Sequence, residues 1–161
     1  MTRYAQNTGV SIERSKAEIE RMLSRYGATQ FFSGWQDDPP MAAIGFRLDG
    51  RQIKITVPVP ARDDTEFTLT DTGRERKPDA AYKAWEQAQR QRWRALALII
   101  KAKIEAIETG ISTVEREFLA DVMLADGSTF GQWAAPQLEQ IYDSGKMPPL
   151  LPAPKKTRRN Q

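Results

Sequence analysis

Asp49 stands just ahead of the triplet Gln52-Ile53-Lys54. That combination superficially fits a metal-dependent nuclease, which needs an acidic residue on one element and an acidic-or-Gln, any, Lys triplet on the next. In such a site Mg²⁺ and a lysine meet at the scissile phosphate. Two features weigh against it. Asp49-Gly50 is required by a tight turn, and the two elements lie very close in sequence, so the match is of the kind that arises by chance. The run Asp63-Asp64-Thr65-Glu66 offers oxygen donors to a hard cation but reads as a charged loop. The phosphate-binding pattern GxxxxGK[ST] is absent. The chain contains no histidine and no cysteine, which excludes the Ser-His-Asp triad, thiolate nucleophiles, zinc–thiolate and iron–sulfur centres, and disulfides. No catalytic residue, metal ligand or cofactor is expected, and the chain reads as a binding protein rather than an enzyme.

Binding chemistry is better represented. Arg47 and Lys54 fall on one face of a sheet, opposite the apolar one, with small Gly45 facing Lys54. A preceding strand adds to that face either Phe31 and Trp35, which share parity, or Phe32; Phe31 and Trp35 are the pair we assign. An aromatic on a basic sheet can stack a base while cations hold phosphates. A second cationic feature is a helical stripe of Lys83, Arg90, Arg94 and Lys101, spaced to track a phosphate backbone. Glu86 lies between Lys83 and Arg90 at helical spacing and can pair with them. Lys155, Lys156, Arg158 and Arg159 add a basic tail.

The longest element is a helix over 80–109, closed by Gly110. Trp85, Trp93, Leu96, Ile100, Ile104 and Ile107 recur on one stripe, interrupted only by Gln89. Ala95 to Ile100 is apolar on every side, which predicts a helix buried at its middle. Upstream, Ser11 or Ser15 caps a helix whose face is Ile12, Ile19, Met22, Leu23 and Tyr26, ended by Gly27. Ala28 to Trp35 reads as a first strand, and residues 36–40 as a turn or loop. MAAIGFRL, Asp49-Gly50 and RQIKITVPV form a hairpin on a type I′ turn. Its register pairs Leu48 with Arg51, Arg47 with Gln52, Phe46 with Ile53, Gly45 with Lys54 and Ile44 with Ile55, so Ile44, Phe46, Leu48, Ile53, Ile55 and Val57 share the core face. Phe67 and Leu69 alternate with threonine as a short further strand. Ser112 with Glu115 caps a helix running through Val122, Asp126-Gly127-Ser128 breaks it, and Thr129 caps a last helix that carries or is split by Pro136.

The predicted fold is α+β: an antiparallel three-stranded sheet in α-β-β-β-α order, a long central helix and two shorter C-terminal helices. Residues 1–10 read as a flexible lead-in. Residues 11–145 form a single domain, with the core at 11–110 and a helical extension at 112–145. Residues 146–161 form a Pro-rich and then basic tail. Double-stranded RNA-binding domains share the α-β-β-β-α order, but the lysine-rich start of their second helix is not reproduced by Ala80, Ala81, Tyr82 and Lys83.

Three segments carry a family resemblance: VSIERSKAEIERMLSRYGAT (Val10 to Thr29), RQRWRALALIIKAKIEAIETGIS (Arg90 to Ser112) and EFLADVMLADGSTFGQW (Glu117 to Trp133). They resemble a family of small bacteriophage and prophage proteins. The likeness is one of overall pattern without a catalytic signature, and it assigns no residue a role. It implies a phage or mobile-element origin. The net charge is +3 and the pI about 9.3, compatible with a nucleic-acid partner. No apolar run approaches the ~20 residues that span a bilayer, and MTRYAQNTGV lacks the apolar core of a signal peptide. The expectation is a cytoplasmic accessory protein in a bacterial host that binds nucleic acid. The competing expectation is an anti-defence module that binds and modulates a host enzyme.

Overall fold

A computed structural model describes residues 8–147. The chain forms α1 (Ile12–Arg25), β1 (Thr29–Asp37), β2 (Pro40–Leu48), β3 (Arg51–Pro58), α2 (Thr65–Thr68), α3 (Pro78–Glu108), α4 (Val114–Phe118), a 3₁₀ turn (Leu119–Asp121) and α5 (Phe130–Ser144). The sheet is antiparallel in the order β1-β2-β3. The expected α-β-β-β-α order, long central helix and two shorter C-terminal helices are all present. No helix of the described residues is long and apolar enough to cross a membrane.

The β2–β3 hairpin adopts the predicted register throughout, from Leu48 opposite Arg51 to Ile44 opposite Ile55. Asp49 and Gly50 both take positive φ, 48° and 76°, as a type I′ turn demands. Ile44, Phe46, Leu48, Ile53 and Ile55 are buried beneath the helices. They meet Ile19 and Leu23 of α1 and Leu96, Ile100 and Ile104 of α3 in one hydrophobic cluster. Phe118 closes it, edge-on to Phe46 with ring centroids 5.7 Å apart. Gln89, the polar interruption of the α3 stripe, is buried and donates from Nε2 to the Pro60 carbonyl at 3.2 Å. It ties the chain leaving β3 to the helix, as the Trp85 indole N–H does at 3.0 Å on the same oxygen.

Several local expectations are corrected. The turn or loop expected over residues 36–40 is a turn, narrower than expected: the strands continue until Asp37 pairs with Pro40, leaving Asp38-Pro39 to reverse the chain. Phe67 is buried from a short helix, not a strand, and only an isolated Leu69–Glu75 bridge follows. The middle of α3 is not buried all round, because Ile99 is half exposed on the side away from the sheet. The cap of α4 is Thr113, whose hydroxyl accepts from the Arg116 N–H; Ser112 is one residue too early, and its hydroxyl is buried without a partner. That helix stops at Phe118, because Val122 leaves it to bridge Ile53 on the outer edge of β3. Ser11 caps α1, and Thr129 caps α5 in a reciprocal box with Gln132. Pro136 lies inside α5 without splitting it. Of the lead-in, Thr8 is held by Gln87, whose side-chain amide donates to its carbonyl at 2.9 Å.

Candidate nucleic-acid interface

The face of the sheet turned away from the helices is built by three strands in register. Thr29, Arg47 and Gln52 form one cross-strand row, and Phe32, Gly45 and Lys54 form the next. A third row is Gly34, Ala43 and Thr56. None of these residues is acidic. Arg47 is exposed and Lys54 half-buried, and neither side chain has a hydrogen-bond or ion-pair partner among the described residues. Phe32 lies over Gly45: a Cβ at position 45 would overlap the far edge of the ring. The glycine therefore lets the ring settle flat against the backbone, with half of its surface open to solvent. A flat aromatic surface flanked by two unpaired cations can stack an unpaired base and hold its phosphates.

The structure places the two aromatics assigned to this face elsewhere. In a regular β1, residues 31 and 35 would follow the parity of Thr29, which faces outward with Arg47. The ladder instead shifts between Thr29 and Phe32, where Gln30 takes φ 57°. That extra residue reverses the parity of everything after it. Phe31 turns inward and packs against the core cluster. Trp35 pairs with Ala42 on the core face, beyond the cover of the helices, and remains 73% exposed. Phe32, the alternative left open by the sequence, takes the outward position.

Half of the helical stripe is committed within the protein. Arg90 pairs with Glu86 at 2.5 Å on the same helix. Arg94 pairs with Glu18 of α1 at 2.5 Å, so it joins two helices rather than facing a ligand. Lys83 and Lys101 are exposed and without partners among the described residues. Eighteen positions of helix separate them, about 27 Å, so they do not make a shared patch. Lys155, Lys156, Arg158 and Arg159 lie outside the described residues.

The nuclease constellation is not assembled in a form that chemistry can use. Asp49 occupies the turn, while Gln52 and Lys54 lie on the open face without a carboxylate beside them. Among the described residues no group of three acidic side chains converges as a metal site. Asp64 has a structural role, its carboxylate accepting from the Ala61 N–H at 2.9 Å. Two carboxylates elsewhere are shifted. Burial of Asp121 raises its pKa, an effect that Lys103 opposes but does not cancel. Hydrogen bonds from the Ser128 hydroxyl and backbone lower that of Asp126. Neither lies on the open face.

Comparison with known proteins identifies no matching family, no matching curated protein and no matching solved structure.

Proposed function

We propose that this protein binds single-stranded nucleic acid on the open face of its sheet, and that it does so without catalysing a reaction. The observation that carries this reading is the Phe32 ring seated on Gly45 between Arg47 and Lys54, on a face without a carboxylate. An exposed ring of this kind stacks only on a base that is not already stacked in a duplex, which favours single strands over double strands. The two cations lack intramolecular partners among the described residues, so phosphates would meet them without displacing an existing ion pair. In a phage or mobile element, the origin that the sequence resemblance implies, such a protein would accompany replication, recombination or protection of a strand.

The test is fluorescence anisotropy of labelled single- and double-stranded DNA and RNA at ~50 and ~200 mM salt, the range over which counterion release is visible. Saturable binding to single strands that weakens steeply with salt is the expected result. Absence of binding to all four at the lower salt would refute the reading.

A second reading, a module that binds and modulates a host protein, is favoured by a different surface. No residue of α5 is fully buried, and Trp133, Leu138 and Tyr142 stand 38%, 52% and 86% exposed along it. Apolar surface of this kind marks protein contacts. Binding there would be far less sensitive to salt than binding on the sheet.

A further inference from the structure

The two edges of the sheet differ in how they are protected. The outer edge of β3 is guarded: Val122 bridges Ile53, and the Met123 N–H donates to the Gln52 carbonyl at 2.8 Å. Lys54 and Pro58, residue types that discourage further strand pairing, occupy the rest of that edge. The outer edge of β1 has no such cover. Among the described residues no strand, bridge or loop backbone pairs with it. Residues 31–36 contain neither a charged side chain nor a proline. An uncovered edge of this composition is a template for another strand.

The hydrogen bonding of β2 fixes which backbone groups of β1 are free. The Val59 N–H donates to the Pro40 carbonyl, so the even-numbered residues of β2 bond towards β3 and the odd-numbered ones towards β1. Met41, Ala43 and Gly45 thus bond to Gln36, Gly34 and Phe32. Phe31, Ser33, Trp35 and Asp37 turn their N–H and C=O groups outward, and these groups have no partner among the described residues. The helices stop short of this edge: Ser33 and Asp37 are exposed, and Trp35 is 73% exposed. The bulge at Gln30 bounds the regular stretch at one end and the turn after Asp37 bounds it at the other. Residues 31–37 remain, with Gly34 at their centre.

We propose that the edge of β1 pairs with the same edge of a second copy of this chain, antiparallel and centred on Gly34. Two identical edges are complementary about a two-fold axis. In this register Ser33 lies opposite Trp35 of the second copy, and Phe31 opposite its Asp37. All four have outward-facing backbone groups, so each pair can exchange both hydrogen bonds. A small side chain then stands across from each exposed indole, and the two indoles lie diagonally within reach of one another. The two Asp37 carboxylates fall at opposite ends of the seam, about 20 Å apart, so no like charges meet. A foreign strand would have to supply this pattern, whereas the edge already carries its own complement: small opposite large, and neutral opposite neutral. The two three-stranded sheets would join into one, with both open faces on the same side. The proposal stands apart from the nucleic-acid reading, because its readout is the mass of the free protein.

Light scattering of the full-length protein, measured as it elutes from a sizing column, tests this. Pairing of one short edge is at the small end of specific interfaces, so a mass of twice 18.2 kDa is expected at ~100 µM, falling towards one chain near ~1 µM. Ser33→Pro removes an N–H that β2 does not use, and Trp35→Lys places a charge at an exposed position. Each should convert the dimer to a monomer and leave the circular dichroism spectrum that of the parent. Because the chain has no cysteine, Gly34→Cys reports on the axis alone. A Cβ at position 34 meets nothing within 4 Å. The Cα atoms of a non-hydrogen-bonded pair stand about 4.5 Å apart, within disulfide reach. Mild oxidation should link most of the Gly34→Cys protein as dimers and little of a Thr56→Cys control on β3. A single-chain mass at ~100 µM would overturn the proposal. So would linkage no greater at position 34 than at 56. A dimer unmoved by Ser33→Pro or by Trp35→Lys would also overturn it, assigning the contact to another surface such as the exposed side of α5.

Discussion

In the proposed mode of binding, Phe32 is the side chain that carries the stacking. Its ring is held by contact with Gly45 and has no partner above it. Phe32→Ala should weaken single-strand binding by about 1–3 kcal/mol, the usual contribution of one stacked base. Phe32→Trp should retain it, and anisotropy titrations of the two variants measure the difference. A loss shared equally by both would point to damage rather than lost stacking. Ser15 gives a separate prediction about stability. It is fully buried in α1, and its hydroxyl has no hydrogen-bond partner. An unsatisfied buried hydroxyl costs about 1–3 kcal/mol, so Ser15→Ala should stabilise the protein by roughly 1 kcal/mol. Urea unfolding reads this directly, and a destabilised variant would show that the hydroxyl has a partner in solution.

At the scale of elements, the hairpin was legible from sequence because two independent signals agreed. Asp49-Gly50 fixes a two-residue turn, and the flanking alternation permits only one register around it. The helices were legible from their stripes and caps for the same reason. The parity of β1 was not. The bulge at Gln30 places a non-glycine residue at positive φ, and nothing in the composition of Ala28 to Phe32 announces it. One extra residue moved Phe31 inward, brought Phe32 outward and carried Trp35 to the core face, so the cationic half of the sheet site was readable while its aromatic half stayed between two parities. The partners of Arg90 and Arg94 divide in the same way. Glu86 is a helical neighbour visible at its spacing, whereas Glu18 reaches Arg94 only through the packing of α1 on α3. The last helix allows a test at this scale. The Thr129 hydroxyl accepts from the Gln132 N–H and Gln132 Oε1 accepts from the Thr129 N–H, while α5 buries no residue fully. Thr129→Ala should therefore cost about 1 kcal/mol locally. Hydrogen exchange should quicken through α5 and leave α3 unchanged. Equal quickening in both helices would mean that α5 is integral to the core.

Across the whole molecule, the modest net charge conceals an uneven distribution. Among the described residues the open sheet face is cationic and unpaired, whereas two of the four α3 stripe cations are spent on carboxylates. A strand approaching the open sheet face would meet unpaired positive charge, a condition for oriented binding at low net charge. Global stability carries a pH signature from Asp121. Burial penalises its charged form, so its folded pKa lies above the ordinary value of 3.8. The folded state then holds the proton more tightly than the unfolded state, and stability falls as pH rises through the raised pKa. Asp121→Asn should stabilise the protein at neutral pH, with the gain vanishing near pH ~3, where both states are protonated. Thermal unfolding at the two pH values checks the sign. In the function proposed, the sheet and not the helical stripe holds nucleic acid. The most direct measurement compares single-strand affinity at ~50 mM salt for two charge-matched variants. One carries Arg47→Glu with Lys54→Glu, and the other Lys83→Glu with Lys101→Glu. The sheet variant should lose binding while the helix variant keeps most of it; equal losses, or a loss confined to the helix variant, would contradict the account.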